Sequence, residues 1–227
     1  LRRHMPESSA FEGAAAPHPS MMQVVREHWP VMLRVVATVV GANAVFYAGF
    51  VYMPDAISQA HPELADRAQA VNSALLAAQV LIVIAGGWIS DRIGRWRACV
   101  LCNLLALALV VPAWRAFERG SLEGLLLAQA MLSLPVGALF GMQGAMVAEM
   151  CPPRARCMVY GLAYGLAVAA FAGTVPAMAT WMVGERHWND GPLIYMAVTV
   201  MVAVIALLSV PRAELNRMDQ GGGAAGT

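Results

Sequence analysis

The stretch Gly86-Gly87-Trp88-Ile89-Ser90-Asp91-Arg92-Ile93-Gly94-Arg95-Trp96-Arg97 carries the densest charge pattern of the sequence, between two predominantly apolar runs at residues 70–90 and 98–114. A connection this short can only be a tight turn between two helices that cross the same apolar layer. Its glycine four residues before Asp91-Arg92, followed by Gly94-Arg95, is more patterned than a solubilising turn requires.

Working outward, the same alternation of long apolar runs and short polar joints covers most of the chain. A helix needs about 20 apolar residues to cross a bilayer, and about 17 to 25 is the usual range. Six runs meet that requirement, at about 31–53, 70–90, 98–114, 122–148, 158–183 and 193–210. Composition agrees: 59% of residues are hydrophobic and 13% charged, where an ordinary soluble domain has about 25% charged. The reading is an all-α membrane protein with a six-helix transmembrane domain over residues 31–211. It is preceded by a linker at 1–30 and followed by a Gly-rich flexible tail at 212–227.

What the sequence excludes is as useful. A formal net charge of +1 gives no basic field for nucleic acid. No phosphate-cradling loop, hydrolytic triad or zinc spacing is present, so an enzyme, a metal site and a cofactor are not expected. Cys99 and Cys102 form a lone CxxC at the start of an apolar run, without a second pair, and read as small membrane-helix thiols. The chain opens Leu1-Arg2-Arg3-His4-Met5 without the pattern of a signal peptide, which reads as entry in the middle of a longer open reading frame.

Orientation follows from arginine, since the sequence contains no lysine. Arg2, Arg3, Arg26, Arg92, Arg95, Arg97, Arg154, Arg156, Arg212 and Arg217 gather on one side, with Arg34 just inside the first run. Arg67, Arg115, Arg119 and Arg186 lie on the other. Positive charge resists translocation, so both termini are expected in the cytoplasm. Trp29 and Trp96 at that boundary, and Trp114, Trp181 and Trp188 at the other, suit headgroup anchoring.

The charged turn resembles the hallmark cytoplasmic loop of the major facilitator superfamily. Gly87, Asp91, Arg92, Gly94, Arg95 and Arg97 match that loop at every position. Members have twelve spans in two halves, with the loop between the second and third span of each half, so six spans equal one half. LRRHMPESSAF resembles the central linker, which implies the C-terminal half. Within the superfamily, Asn43-Ala44-Val45-Phe46-Tyr47, Glu149-Met150-Cys151-Pro152-Pro153-Arg154-Ala155-Arg156 and Gly173-Thr174-Val175-Pro176 resemble stretches of the metabolite:proton symporters, the group of proline/betaine, dicarboxylate, citrate and shikimate permeases. Cys151 and Pro153 depart from the usual aromatic and threonine, and Gly165 from the usual asparagine.

The resemblance implies a proton-coupled symporter of a small polar metabolite, such as an organic acid or osmolyte, in a bacterial inner membrane. Its partners are the lipid bilayer, protons, the substrate and an N-terminal six-helix half. It also implies a conformational latch in which Arg95 pairs with Glu149 and Asp91 with Arg156; the other reading is that these charges only set topology. Polar groups deep in a bilayer are costly and therefore informative. Asn43, Tyr47, Asn72, Gln79, Gln129, Gln143, Tyr164 and Thr174 are such groups. The resemblance marks Asn43, Tyr47, Gln79 and Tyr164 for substrate contact, with interhelical hydrogen bonding as the other reading. Pro135 and Pro176 suggest helices that bend and gate, and Gly161 with Gly165 a small-residue packing face. No Asp, Glu or His falls near the midplane, so a coupling carboxylate is expected in the other half or is absent. Two other readings fit the same spans, a drug efflux transporter and a non-transporting sensor or truncation product.

The arginine asymmetry makes a direct prediction. A reporter fused after Thr227 is active only in the cytoplasm, and one inserted within residues 54–69 only outside. Periplasmic activity at Thr227 overturns the assigned orientation.

Overall fold

The computed structural model describes residues 20–153 and 155–210. The expected tail, Arg154 and the first part of the expected linker lie outside the described residues. The described residues form helices and turns without a strand. Six helical units are long and apolar enough to span a membrane: Met21–Ala60, Pro62–Ile93, Arg95–Phe117, Leu122–Met150, Arg156–Gly184 and Gly191–Leu208.

The first span is α1 (Met21–Tyr47), a π-helical turn (Ala48–Tyr52) and α2 (Met53–Ala60). Ser20 starts α1 with a capping box: its hydroxyl accepts from the Gln23 N–H, and the Gln23 side chain accepts from the Ser20 N–H. Those bonds satisfy donors that a helix start otherwise leaves unpaired, and α1 therefore begins ten residues ahead of the apolar run. The second and third spans are α3 (Ala65–Ile93) and α4 (Arg95–Phe117), and the fourth is α5 (Leu122–Met150). The fifth comprises α6 (Arg156–Ala167), a second π-helical turn (Val168–Ala172) and α7 (Val175–Gly184). The sixth is α8 (Gly191–Leu208).

Helix α5 packs along both α3 and α4, while α1 packs against α8, α6 and α5. The α3–α5 seam is the tightest. A Cβ on Gly141 would stand 2.0 Å from the Val83 carbonyl oxygen, and one on Gly86 would stand 2.5 Å from the Ala138 Cα. These backbones meet directly, as small residues allow in membrane helix pairs. Gly161 and Gly165, the expected packing face, have nothing within 4 Å of a built Cβ. The glycines that bring backbones together are instead those of the α3–α5 seam and Gly41 of α1, where a Cβ would stand 2.9 Å from the Val200 Cα of α8.

Two of the expected tryptophan anchors are structural. Trp114 is 2% exposed, lies parallel to Tyr52 with ring centroids 6.4 Å apart, and donates its Nε1–H to Glu118 at 3.2 Å. Trp96 donates its Nε1–H to the Leu207 carbonyl at 2.8 Å, tying α4 to α8. Trp29, Trp181 and Trp188 are exposed. At the end of α4, Arg115 pairs with Glu118 at 2.7 Å and with Asp190, just before α8, at 3.0 Å.

Both π-helical turns precede a proline. Pro54 and Pro176 lack the N–H that continues a helix, and their rings crowd the carbonyl four residues back. In the first span the Met53 N–H bonds the Ala48 carbonyl five residues back. The Gly49 carbonyl thereby loses its ordinary donor, and the next residue in register, Pro54, has none to give. Gln129 of α5 fills the role: its Nε2 donates to the Gly49 carbonyl at 2.9 Å and to Asn72 Oδ1 of α3 at 2.8 Å. Pro135, by contrast, is buried within an uninterrupted α5.

Gln129 thus joins three spans through a fully buried side chain. Gln129→Leu keeps the volume but leaves two buried acceptors unpaired, which costs about 1–3 kcal/mol. The expected outcome is a lower thermal midpoint in detergent, with a smaller loss for Asn72→Leu because Gly49 keeps its donor. An unchanged midpoint for Gln129→Leu refutes the role given to this hydrogen bond.

Candidate functional site

Two groups of residues stand out, one at the arginine-rich end of the bundle and one between the spans. At the arginine-rich end, α3 stops at Ile93 and α4 starts at Arg95, with Gly94 alone between them at φ 92° and ψ 129°. That φ strains any residue with a Cβ, so the chain reverses at a glycine. The Gly94 N–H bonds the Ser90 carbonyl at 3.0 Å, and the Ser90 hydroxyl donates to the Gly87 carbonyl at 2.8 Å. Gly87 itself faces the Gly141 carbonyl, 3.2 Å from a built Cβ.

The reversal places Arg95 at the meeting point of three helix ends. Its Nη2 and Nε donate to Asp91 Oδ1 at 3.2 and 3.3 Å. Its Nη1 donates to Glu149, at the last turn of α5. The Arg95 and Glu149 side chains are 31% and 24% exposed, against 63% for Asp91, so the Glu149 arm is the better shielded and the stronger of the two. Arg92 stacks on Trp88 with its guanidinium carbon 3.6 Å from the ring centroid, and Arg97 is exposed. The expected Asp91–Arg156 pair is not formed. Asp91 closes on Arg95 one turn away, while Arg156 lies exposed at the start of α6. In the joint before α6, burial pushes the Cys151 thiol up in pKa and the Arg156 charge offsets part of the effect, so Cys151 packs as a neutral group.

Between the spans, two of the four expected substrate residues come together. Tyr164 of α6 donates its hydroxyl to Asn43 Oδ1 of α1 at 3.2 Å, and Asn43 Nδ2 donates to the Val39 carbonyl at 2.9 Å. Tyr160, which the motif reading passed over, stacks on Tyr164 with centroids 5.7 Å apart and planes 3° from parallel. Tyr47 is half-buried, edge-on to Phe46 at 5.9 Å. Gln79 stands apart from this group. It is 4% exposed, and its Cγ would be 3.0 Å from a Cβ on Gly137, so it belongs to the α3–α5 seam. Gln143, on the α5 stripe shared by Phe140 and Val147, is buried with neither amide atom hydrogen-bonded among the described residues.

Pro176 sits in the first turn of α7, beyond the second π-helical turn. The matching break before Pro54 escapes a reading by apolar length because the π-turn itself, Ala48–Tyr52, is as apolar as the helix before it, and α2 carries the helix on to Ala60 within the stretch read as a polar joint. The informative signal is the single proline. The least covered spans are the second and the fifth, with 17% and 22% of their apolar windows buried, against 61% and 56% for the first and the fourth. The faces of Gly161, Gly165 and much of α3 therefore remain open in this chain.

Comparison with known proteins places these features. The family model of the Major Facilitator Superfamily matches residues 37–225. The ectoine/proline transporter of Corynebacterium glutamicum is 26% identical over 222 residues, covering 92% of this chain and 44% of the relative. A citrate-proton symporter of Klebsiella pneumoniae is 27% identical over 213 residues, covering 91% and 47%. The alpha-ketoglutarate permease of Escherichia coli is 26% identical over 223 residues, covering 97% and 50%. The chain spans about half the length of the curated relatives it matches. No solved structure matches at a significant level. With six membrane-length helices and the family's charged loop closing between the second and third, this multi-pass membrane chain belongs to the major facilitator superfamily, a family of transporters rather than enzymes.

Proposed function

We propose that the chain is the C-terminal half of a proton-coupled symporter for a small polar metabolite, set in the bacterial inner membrane with both termini cytoplasmic. The observation that carries this reading is the open face of the second and fifth spans beside the Asn43–Tyr164 pair. A midplane cavity needs walls from two helix bundles, and these spans offer one wall with small residues and half-buried aromatics turned toward the missing one. An N-terminal six-helix half is the partner of matching shape.

The site and the relatives together support a small carboxylate-bearing metabolite as the substrate class. Ectoine, proline, citrate and alpha-ketoglutarate, the compounds in the relatives' names, are all small and carry carboxylate. Among the described residues of this half, Asn43, Tyr47 and Tyr164 offer hydrogen bonds and an aromatic wall, and none of their hydrogen bonds or ring contacts is to a cation that would neutralise a carboxylate. The charge-matching group and the proton-coupling group accordingly belong to the partner half. Gln79 serves this reading as a packing residue that keeps the second span against the fourth.

Arg95 holds the ends of the second, third and fourth spans together, with Gly87, Gly94 and Glu149 shaping its site and Arg92 and Arg97 flanking it. In the proposed cycle this cluster keeps the arginine-rich side closed while the other side is open. Pro176 marks a flexible point of the fifth span, whereas Pro135 acts within a rigid α5.

Two experiments test the reading. Residues 1–227 alone in vesicles accumulate no labelled proline or citrate under a proton gradient, and co-expression with an N-terminal half from the same gene gives uptake; gradient-driven uptake by the lone chain refutes the half-transporter assignment. In the full-length transporter, Asp91→Ala lowers uptake with membrane abundance nearly unchanged. Arg95→Glu lowers uptake about tenfold or more, corresponding to about 1.4 kcal/mol of lost coupling, and adding Glu149→Arg recovers part of it. Wild-type transport by Asp91→Ala and Arg95→Glu reduces the loop to a topology signal.

A further inference from the structure

Gln143 of α5 is 4% exposed, and neither its Oε1 nor its Nε2 is hydrogen-bonded among the described residues. A polar group left unmet inside a protein costs free energy, and native folds keep few of them without a reason. The depth of this amide follows from the packing of α1 on α5. Phe46 of α1 and Phe140 of α5 meet edge-on with centroids 5.3 Å apart. The first and fourth spans run in opposite directions, so three residues before Phe46 and three after Phe140 lead to the same level, about 4.5 Å along each axis. Those residues are Asn43 and Gln143, each on the helix face of its phenylalanine. One turn further, Val39 and Val147 belong to a single buried cluster.

Two amides thus lie at one depth on facing helices. Asn43 is engaged within this half: its Nδ2 donates to the Val39 carbonyl and its Oδ1 accepts from Tyr164. Gln143 is not engaged. The third wall is α6, whose Tyr160 hydroxyl comes within 3.8 Å of a Cβ built on Gly144, the residue beside Gln143, and whose Tyr164 stacks on Tyr160. The unmet amide therefore belongs with the Asn43–Tyr164 group, whereas Gln79 belongs to the α3–α5 seam.

We propose that Gln143 is a further substrate-binding residue, left unpaired for a metabolite that carries a carboxylate next to a hydrogen-bond donor. This role rests on the transporter reading above and adds a basis for selection to it. An amide offers N–H donors and a carbonyl acceptor side by side. Nε2 donates to the carboxylate, and Oε1 accepts from an amine N–H or a hydroxyl on the adjoining carbon. The amide is covered in this arrangement, so the substrate reaches it when Tyr160 and Tyr164 part from α5.

The test is the ligand-induced thermal shift of the full-length transporter, titrated with L-proline, N,N-dimethylproline, citrate and tricarballylate. The second and fourth probes keep the carboxylates of the first and third and lack the N–H or the hydroxyl. In the wild type, proline or citrate binds about tenfold more tightly than its donor-free counterpart, the effect of one hydrogen bond. Gln143→Met keeps the side-chain length without its polar atoms. It brings that preference to about one, while the ligand-free midpoint is unchanged or higher because an unmet amide has been removed. Gln143→Asn restores part of the preference. A wild type that no probe shifts, or that binds both members of each pair equally, overturns the proposal. So does folded Gln143→Met with the preference intact; a lower ligand-free midpoint in that case assigns the amide to a buried structural water. The half-transporter assignment is tested separately, by uptake in the lone chain.

Discussion

Inside hydrocarbon a backbone carbonyl or N–H finds no water, so each must be answered by the protein itself. Much of this bundle can be read as the working out of that constraint at a few residues. Pro54 removes one donor, the helix before it widens to a π-turn, and the Gly49 carbonyl is left to be met by a side chain. Gln129 meets it from another span and is held in turn by Asn72. One missing N–H therefore determines the neighbours of a buried glutamine and the depth at which three helices register. The second π-turn, before Pro176, packs on α1, while the first packs on α7, so the two broken spans support each other where each is weakest.

At the arginine-rich end the governing physics is electrostatic and steric together. Gly94 turns the chain through a conformation closed to other residues, and that turn aims Arg95 at Glu149. The charges alone would not meet without the glycines, since Gly86 and Gly87 bring α3 onto α5 near the end that carries Glu149. The cluster is half-shielded rather than buried. It holds three helix ends in one arrangement, without the penalty that keeps a fully buried ion pair from separating.

How much of this could be read beforehand depended on whether the signal was local. The six crossings, the charged turn and the Arg95–Glu149 pair follow from apolar length and from a motif whose residues lie within a few positions of one another or at a helix end. Asp91 misled because two arginines compete for it and the nearer, Arg95, lies one turn away. Trp114 misled because a tryptophan near a boundary satisfies the anchoring rule whether it faces lipid or Tyr52. Gly161 and Gly165 have the spacing of a packing face but meet nothing in this chain, while Gly86 and Gly141 make the closest approach. Spacing gives the face of a helix and leaves open which neighbour covers it. Gln79 and Asn43 are equally polar and equally buried, and only the fold separates a seam residue from one beside Tyr164.

The direct meeting of α3 and α5 has a mechanical consequence. Helices separated by layers of leucine can slide as rotamers reshuffle, but where Gly141 lies on the Val83 carbonyl and Gly86 on the Ala138 backbone there is no side chain to yield. The two helices act as a single plank, pinned by Gln129 at one level and clasped by Arg95 at another. A rotation of the second span is then a rotation of the fourth as well, and the helical interruptions of this bundle lie elsewhere, in its first and fifth spans.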